Sequence, residues 1–217
     1  MCENIIIGVD EAGRGPLFGN VYTSAVILPE LNFDKSLLKD SKKFTSKKKI
    51  NQVFDYIIDN STNFAIDFAT HEEIDKYNIL QATQKSMHRS IHKLIRCLIE
   101  NKGYNETHTI LNKIKICVDG NYFNTFKYFY NNKIYLLKHE CLVKGDALCK
   151  EISAASILAK VSRDKYIEQF VEKNPEYDEK YGLLKNKGYG TLQHRTGIQQ
   201  YGYSPYHRKS FKLKNKN

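Results

Sequence analysis

Apolar residues along this chain fall into short continuous runs and longer periodic stretches, and the two spacings predict different elements. Ile5 to Val9 is an unbroken apolar run that stops at Asp10-Glu11 and the turn residues Gly13 to Pro16, so a buried strand ending in a turn is expected there. Val21 to Leu28 is rich in β-branched and small residues and is closed by Pro29. It predicts a second strand that can pair with the first as a hairpin or meander. Ile50, Val53, Phe54, Ile57 and Ile58 then recur on one helical face, which predicts a helix from about Ser46, capped by Thr45 and broken at Asn60-Ser61.

Asn63 to Phe68 reads as a third strand, and Thr70 to Glu73 has the spacing of a capping box before another helical region. Leu80, Met87, Ile91, Leu94, Ile95 and Leu98 line its apolar face until Gly103 stops it. Lys115 to Val118 is a short strand that delivers Asp119-Gly120 to its end. Ile134 to Leu137 predicts a further strand after a stretch of Tyr, Phe and Asn with no readable boundaries. A long helix is expected from about Glu151 to Lys173, ended by Asn174-Pro175. Beyond it, Lys185 to His194 (KNKGYGTLQH) reads as a glycine and aromatic turn leading into a short helix, and a basic tail follows Pro205. With no internal repeat and no linker, the expected organisation is a core over 1–175 and a C-terminal region over 176–217 packed on it.

Charge changes the picture more than composition does. Lys and Arg total 34 against 24 acidic residues, a formal net charge of +10 over 217 residues, which favours polyanionic partners and nucleic acid first among them. The five cysteines show no zinc-binding spacing and leave an odd one over, as expected of a reducing compartment. No apolar run approaches the roughly 20 residues needed to cross a bilayer. The opening MCENIIIGVDE lacks the basic and apolar regions of a signal peptide, so an intracellular, cytoplasmic protein with no membrane association is expected.

Against this positive background, four acids stand out by position. Asp10 and Glu11 follow an apolar strand, Asp119 follows another, and Asp146 follows a third apolar stretch within VKGDA. Strand ends can gather such side chains in one crevice. Neighbours on a strand face opposite ways, so Asp10 and Glu11 converge only where the strand ends or bends, which Gly13 and Gly15 permit. Oxygen ligands of this kind select a hard cation, Mg²⁺ or Mn²⁺, and two such ions would suit phosphodiester hydrolysis. Arg14, Lys42, Lys43, Lys144, Lys185, Lys187 and Arg208-Lys209 are candidates for the positive surroundings that a polyanion needs beside carboxylates. On this ground alone, a metal nuclease of another kind, such as a junction resolvase, and a non-enzymatic nucleic-acid-binding protein both stay open.

The motifs narrow the choice. DEAGRGP (Asp10 to Pro16), LKDSKKF (Leu38 to Phe44), NILQAT (Asn78 to Thr83), VDGN (Val118 to Asn121), KGDA with SAASILAKVSRD (Lys144 to Asp164), KGYGT..H (Lys187 to His194) and SPYHRKSF (Ser204 to Phe211) occur in order over nearly the whole chain. Together they resemble the type 2 ribonuclease H family, ribonuclease HII in particular.

The resemblance implies an α/β, RNase H-like fold: a central mixed five-stranded sheet flanked by helices, with a small helical C-terminal region. It implies an endonuclease that cuts RNA in RNA/DNA hybrids and nicks DNA at embedded ribonucleotides, leaving 3′-hydroxyl and 5′-phosphate ends. A monomer is implied, with Asp10, Glu11, Asp119 and Asp146 holding two Mg²⁺ or Mn²⁺ ions. By the same resemblance Gly13-Arg14-Gly15 inspects the ribonucleotide, Tyr189 packs on the sugar beyond it, and Lys42, Lys43, Lys187 and Thr191 contact phosphate or position the substrate. Two further expectations concern packing. Lys160 and Asp164, four apart on a helix, are expected to pair structurally, and His194 to shape the Tyr189 loop.

Overall fold

The alternation of apolar and polar spacing resolves into a sheet with helices on both faces in the computed structural model, which describes residues 4–38, 41, 44, 46–103 and 106–213. In chain order, β1 (Ile5–Ala12) turns back into β2 (Val21–Ile27), and α1 (Lys47–Asn60) leads to β3 (Asn63–Ala69). Next come α2 (His71–Lys102), α3 (Thr107–Lys113) and β4 (Ile114–Asp119). The hairpin β5 (Lys127–Tyr130) and β6 (Lys133–Leu136) precedes β7 (Lys138–Leu142), α4 (Gly145–Leu148) and the long α5 (Lys150–Lys173). Three short helices finish the fold: α6 (Glu176–Tyr181), α7 (Leu183–Asn186) and α8 (Leu192–Tyr201).

The sheet has five strands in the order β3-β2-β1-β4-β7. β1 pairs antiparallel with β2 and parallel with β4, and β4 pairs parallel with β7, so the sheet is mixed with β1 at its centre. On one face Ile7, Val9 and Ile116 pack with Ile91, Leu94 and Ile95 of α2 and with Phe123 and Tyr128. On the other, Val26 and Leu28 meet Phe54 and Ile57 of α1 and Ala154, Ala155 and Leu158 of α5. From Ile152 to Ala159 every α5 residue is buried, the pattern of a helix surrounded by protein rather than lying on a surface. Its close approach needs Gly8, where a Cβ would stand 2.0 Å from the Glu151 carbonyl carbon.

Several expectations need correction. The first strand does not end at Val9: pairing with β4 stops at Val9–Val118, but pairing with β2 runs on to Ala12–Tyr22, so the two acids lie inside the strand. The strand expected at Ile134–Leu137 is present as β6 (Lys133–Leu136) and lies outside the central sheet. It forms the second arm of a separate hairpin, turned at Asn131-Asn132, both left-handed as a tight two-residue turn requires. The fifth strand is β7, whose sequence KHECL has no apolar alternation because it lies at the sheet edge. The helix at Thr70 has its capping box, but α2 breaks at Asn78, whose side chain accepts from the Gln81 N–H and starts the helix afresh. Ser46 precedes α1; the expected cap Thr45 lies outside the described residues.

α6 and α8 pack together, and Leu17 and Phe18 join Ile167, Val171, Leu183 and Ile198 in a cluster that binds the C-terminal helices to α5 and to the loop after β1. Among the described residues no helix is long and apolar enough to cross a membrane.

Candidate active site

β1 outruns β4 by two residues, Glu11 and Ala12, and the parallel strands β1, β4 and β7 thus end in a step beside a cleft. The cleft has a volume of about 660 Å³, and its walls include Asp10, Glu11, Asp119 and Asp146. Asp10 sits on the α5 side and is 5% exposed; its carboxylate accepts from the Glu11 N–H at 2.6 Å and from the Ser156 hydroxyl. Burial, and then the charges of Glu11 and Asp119, hold Asp10 well above the usual carboxylate range, with the two hydrogen bonds opposing them. Asp119 ends β4 and accepts from the Gly145 N–H at 2.7 Å. That bond anchors the turn in which Lys144 adopts a left-handed conformation, and Asp146 stands in the first turn of α4.

Gly13, Arg14, Gly15 and Tyr189 border the same cleft. Gly13 has φ +94°, and a Cβ there would collide with the Arg163 side chain at 2.0 Å, so the loop closes on a buried guanidinium only because the residue is glycine. Arg14 reaches back to Glu11 at 3.4 Å. Tyr189 is half-exposed, its ring beneath the Arg163 guanidinium, and a Cβ on Gly15 would touch that ring at 3.4 Å. The two elements therefore form one continuous rim.

The remaining residues singled out in the sequence have these partners. Lys187 is paired with Glu168 at 2.8 Å, and Lys47 shares the same carboxylate at 2.7 Å. Thr191 caps α8 by accepting from the His194 N–H. Lys160 and Asp164 do form an ion pair, and both line the cleft wall. Lys42 and Lys43 lie outside the described residues. Arg208 is not part of a solvated basic tail: it is fully buried and donates to the carbonyls of Gly13, Arg14, Pro16 and Gly19. Burial and the neighbouring Arg163 push its pKa down to about 9. Nor is Lys209-Ser210 loose, since both N–H groups donate to Asp75 at the start of α2.

Sequence reasoning missed Ser156, Arg163 and His207. Ser156 links Asp10 to Ser41 of the LKDSKKF segment through hydroxyls 3.0 Å apart. His194, expected to shape the Tyr189 loop, contacts the Tyr189 carbonyl at 3.0 Å and His207 at 3.0 Å. All three lie inside the motifs SAASILAKVSRD and SPYHRKSF, but residue type alone gives them no role there; the fold supplies it by bringing them to the site.

Among the described residues no three His, Cys, Asp or Glu side chains make a ready-formed metal cage; the four acids line the walls of one cleft. Their chemistry nonetheless fits a hard divalent cation. All donors are carboxylate oxygens, and the charge crowding at Asp10 is of the kind a bound cation reverses.

Comparison with known proteins agrees on one family. Residues 7–214 match the family model for Ribonuclease HII. A Ribonuclease HII of Treponema denticola is 43% identical over 211 residues, covering 97% of this chain and 100% of that protein. One from Christiangramia forsetii is 39% identical over 208 residues, covering 96% and 90%. Among solved structures, the ribonuclease H2 from Pyrococcus horikoshii has the same fold with a TM-score of 0.70 at 24% identity, over 95% of this chain and 93% of that one.

Proposed function

The chain belongs to the ribonuclease HII family, and on that footing we propose that it is an endonuclease acting on RNA paired with DNA. It hydrolyses the RNA strand of RNA/DNA hybrids and nicks DNA duplexes 5′ to embedded ribonucleotides, leaving 3′-hydroxyl and 5′-phosphate ends. The observation that carries this reading is the shared cleft: four carboxylates and the Gly13-Arg14-Gly15 and Tyr189 rim face the same space.

Asp10, Glu11, Asp119 and Asp146 hold the cations, two Mg²⁺ or Mn²⁺ ions. When bound, the metal supplies an activated water and neutralises charge on the phosphate and the departing 3′ oxygen. The chain's own groups do the rest. Gly145 and Ser156 fix the carboxylates of Asp119 and Asp10 through hydrogen bonds. Backbone groups of Gly13 to Gly15 meet the ribose 2′-hydroxyl, which donates and accepts where DNA offers neither. Arg14 takes the adjacent phosphate, exchanging its 3.4 Å contact with Glu11 for a stronger charge-assisted bond. Tyr189 lays a rigid ring on the next sugar, fixing register where phosphate contacts cannot. Lys187 and Thr191 support this rim, and Lys42 and Lys43 contact phosphate. A single chain provides every residue named, so a monomer suffices, and such a substrate places the protein inside the cell.

Matched DNA duplexes, one with a single ribonucleotide and one without, test the reading with Mg²⁺, with Mn²⁺ and with chelator. Cleavage is expected only at the ribonucleotide and only with metal. Equal cleavage of both duplexes rejects sugar recognition, and cleavage in chelator rejects the metal.

A further inference from the structure

The rim that would read the sugar is shaped from behind by two consecutive residues, His207 and Arg208, both fully buried. Arg208 donates from Nη2 to the Gly13 carbonyl at 2.7 Å and from Nη1 to the Arg14 and Pro16 carbonyls at 3.0 and 2.8 Å. Its Nε takes the Gly19 carbonyl at 2.8 Å. In a trans peptide the N–H points opposite to the C=O. With the carbonyls of Gly13 and Arg14 turned inward onto one guanidinium, the N–H groups of Arg14 and Gly15 point the other way, outward from Arg208.

His207 does the corresponding work for Tyr189. The Ser204 N–H donates to His207 Nδ1 at 2.9 Å, which makes that nitrogen an acceptor and leaves the proton on Nε2. Nε2–H then donates to His194 Nε2 at 3.0 Å, and His194 Nδ1–H donates to the Tyr189 carbonyl at 3.0 Å. The Ser204 hydroxyl also donates to His207 Nδ1, at 2.7 Å, so the chain runs in one direction from Ser204 to Tyr189 with both rings neutral. Adjacent residues thus fix the two elements that meet where Gly15 faces the Tyr189 ring.

We propose that Arg208 and His207 are positioning residues for sugar discrimination: they set the outward N–H groups of Arg14 and Gly15 and the seat of Tyr189, and neither touches the substrate. This rests on the reading of the site given above. A purely structural role would lower activity on all substrates alike, whereas misplacing the rim would damage recognition of the 2′-hydroxyl selectively.

The test is the ratio of kcat/KM for a duplex carrying one ribonucleotide to that for the same duplex carrying one 2′-fluoro nucleotide. Arg208→Lys keeps a cation, but its single nitrogen cannot span four carbonyls, and the ratio is expected to fall by about tenfold or more. His207→Asn leaves an oxygen to accept from the Ser204 N–H while cutting the link to His194, and the ratio is expected to fall by about threefold. Thermal melting establishes which variants fold; if Arg208→Lys does not, His207→Asn decides. A folded variant whose overall rate falls with its ratio unchanged overturns the proposal. Wild-type protein that fails to nick at the ribonucleotide overturns the functional reading itself, so the two failures are told apart.

Discussion

Asp119 and Gly145 are joined by a hydrogen bond of 2.7 Å from the backbone N–H to Oδ1, which ties the end of β4 to the turn presenting Asp146. One carboxylate oxygen is thus committed to architecture. Asp119→Asn retains an oxygen in that place and loses only the charge. The variant is expected to fold as the wild type does by circular dichroism and to lose activity by roughly two orders of magnitude or more, the scale of several kcal/mol of metal-borne charge stabilisation. An unchanged initial rate would remove Asp119 from the metal-binding set.

Asp10 carries the opposite balance, because its charge is buried and crowded by Glu11 and Asp119. In metal-free buffer Asp10→Asn is expected to raise stability by about 1 kcal/mol, roughly 2–4 °C in melting temperature for a chain of this size. Adding Mg²⁺ should stabilise the wild type and leave the variant little changed, while activity is lost. Differential scanning fluorimetry with and without metal checks both signs.

Tyr189 is half-exposed, so truncation there costs the fold little. Tyr189→Ala should reduce cleavage at a ribonucleotide–deoxyribonucleotide junction by about tenfold more than cleavage within a uniform hybrid. Tyr189→Phe should behave as wild type. Equal losses on the two substrates would argue against a sugar-packing role.

His207 ties stability to pH. Burial, reinforced by His194, pushes its pKa down to about 3 from an ordinary 6.5. The unfolded chain takes up a proton below about pH 6.5 that the folded protein refuses, so stability is complete above that value and falls as pH drops toward 3. The slope cannot exceed about 1.4 kcal/mol per pH unit for this one group. Denaturant melts at about pH 7 and pH 5 should show the wild type losing more stability than His207→Asn; equal losses would count against the coupling.

Much of this molecule is legible in its residues. The apolar runs of β1 and β2, the face of α2 and the four acids each carry a local signal, because burial demands apolar side chains at a set spacing and an acid directly after an apolar run stands out against it. What is not legible depends on long-range placement. β7 reads as polar because an edge strand buries little, and Arg208 reads as part of a basic tail because nothing nearby in sequence hints at the carbonyls it serves. Lys187 likewise reads as a cation open to a phosphate, although Glu168 of α5 pairs with it.

The bonds of Arg208 span 189 to 195 residues of chain, from the loop after β1 to a segment made much later. During synthesis from the N-terminus, every strand and all four acids are made before that arginine. The nascent chain therefore carries its four acids before it carries the guanidinium that gathers the Gly13, Arg14, Pro16 and Gly19 carbonyls, so the loop after β1 waits for its clasp until α8 has already been made.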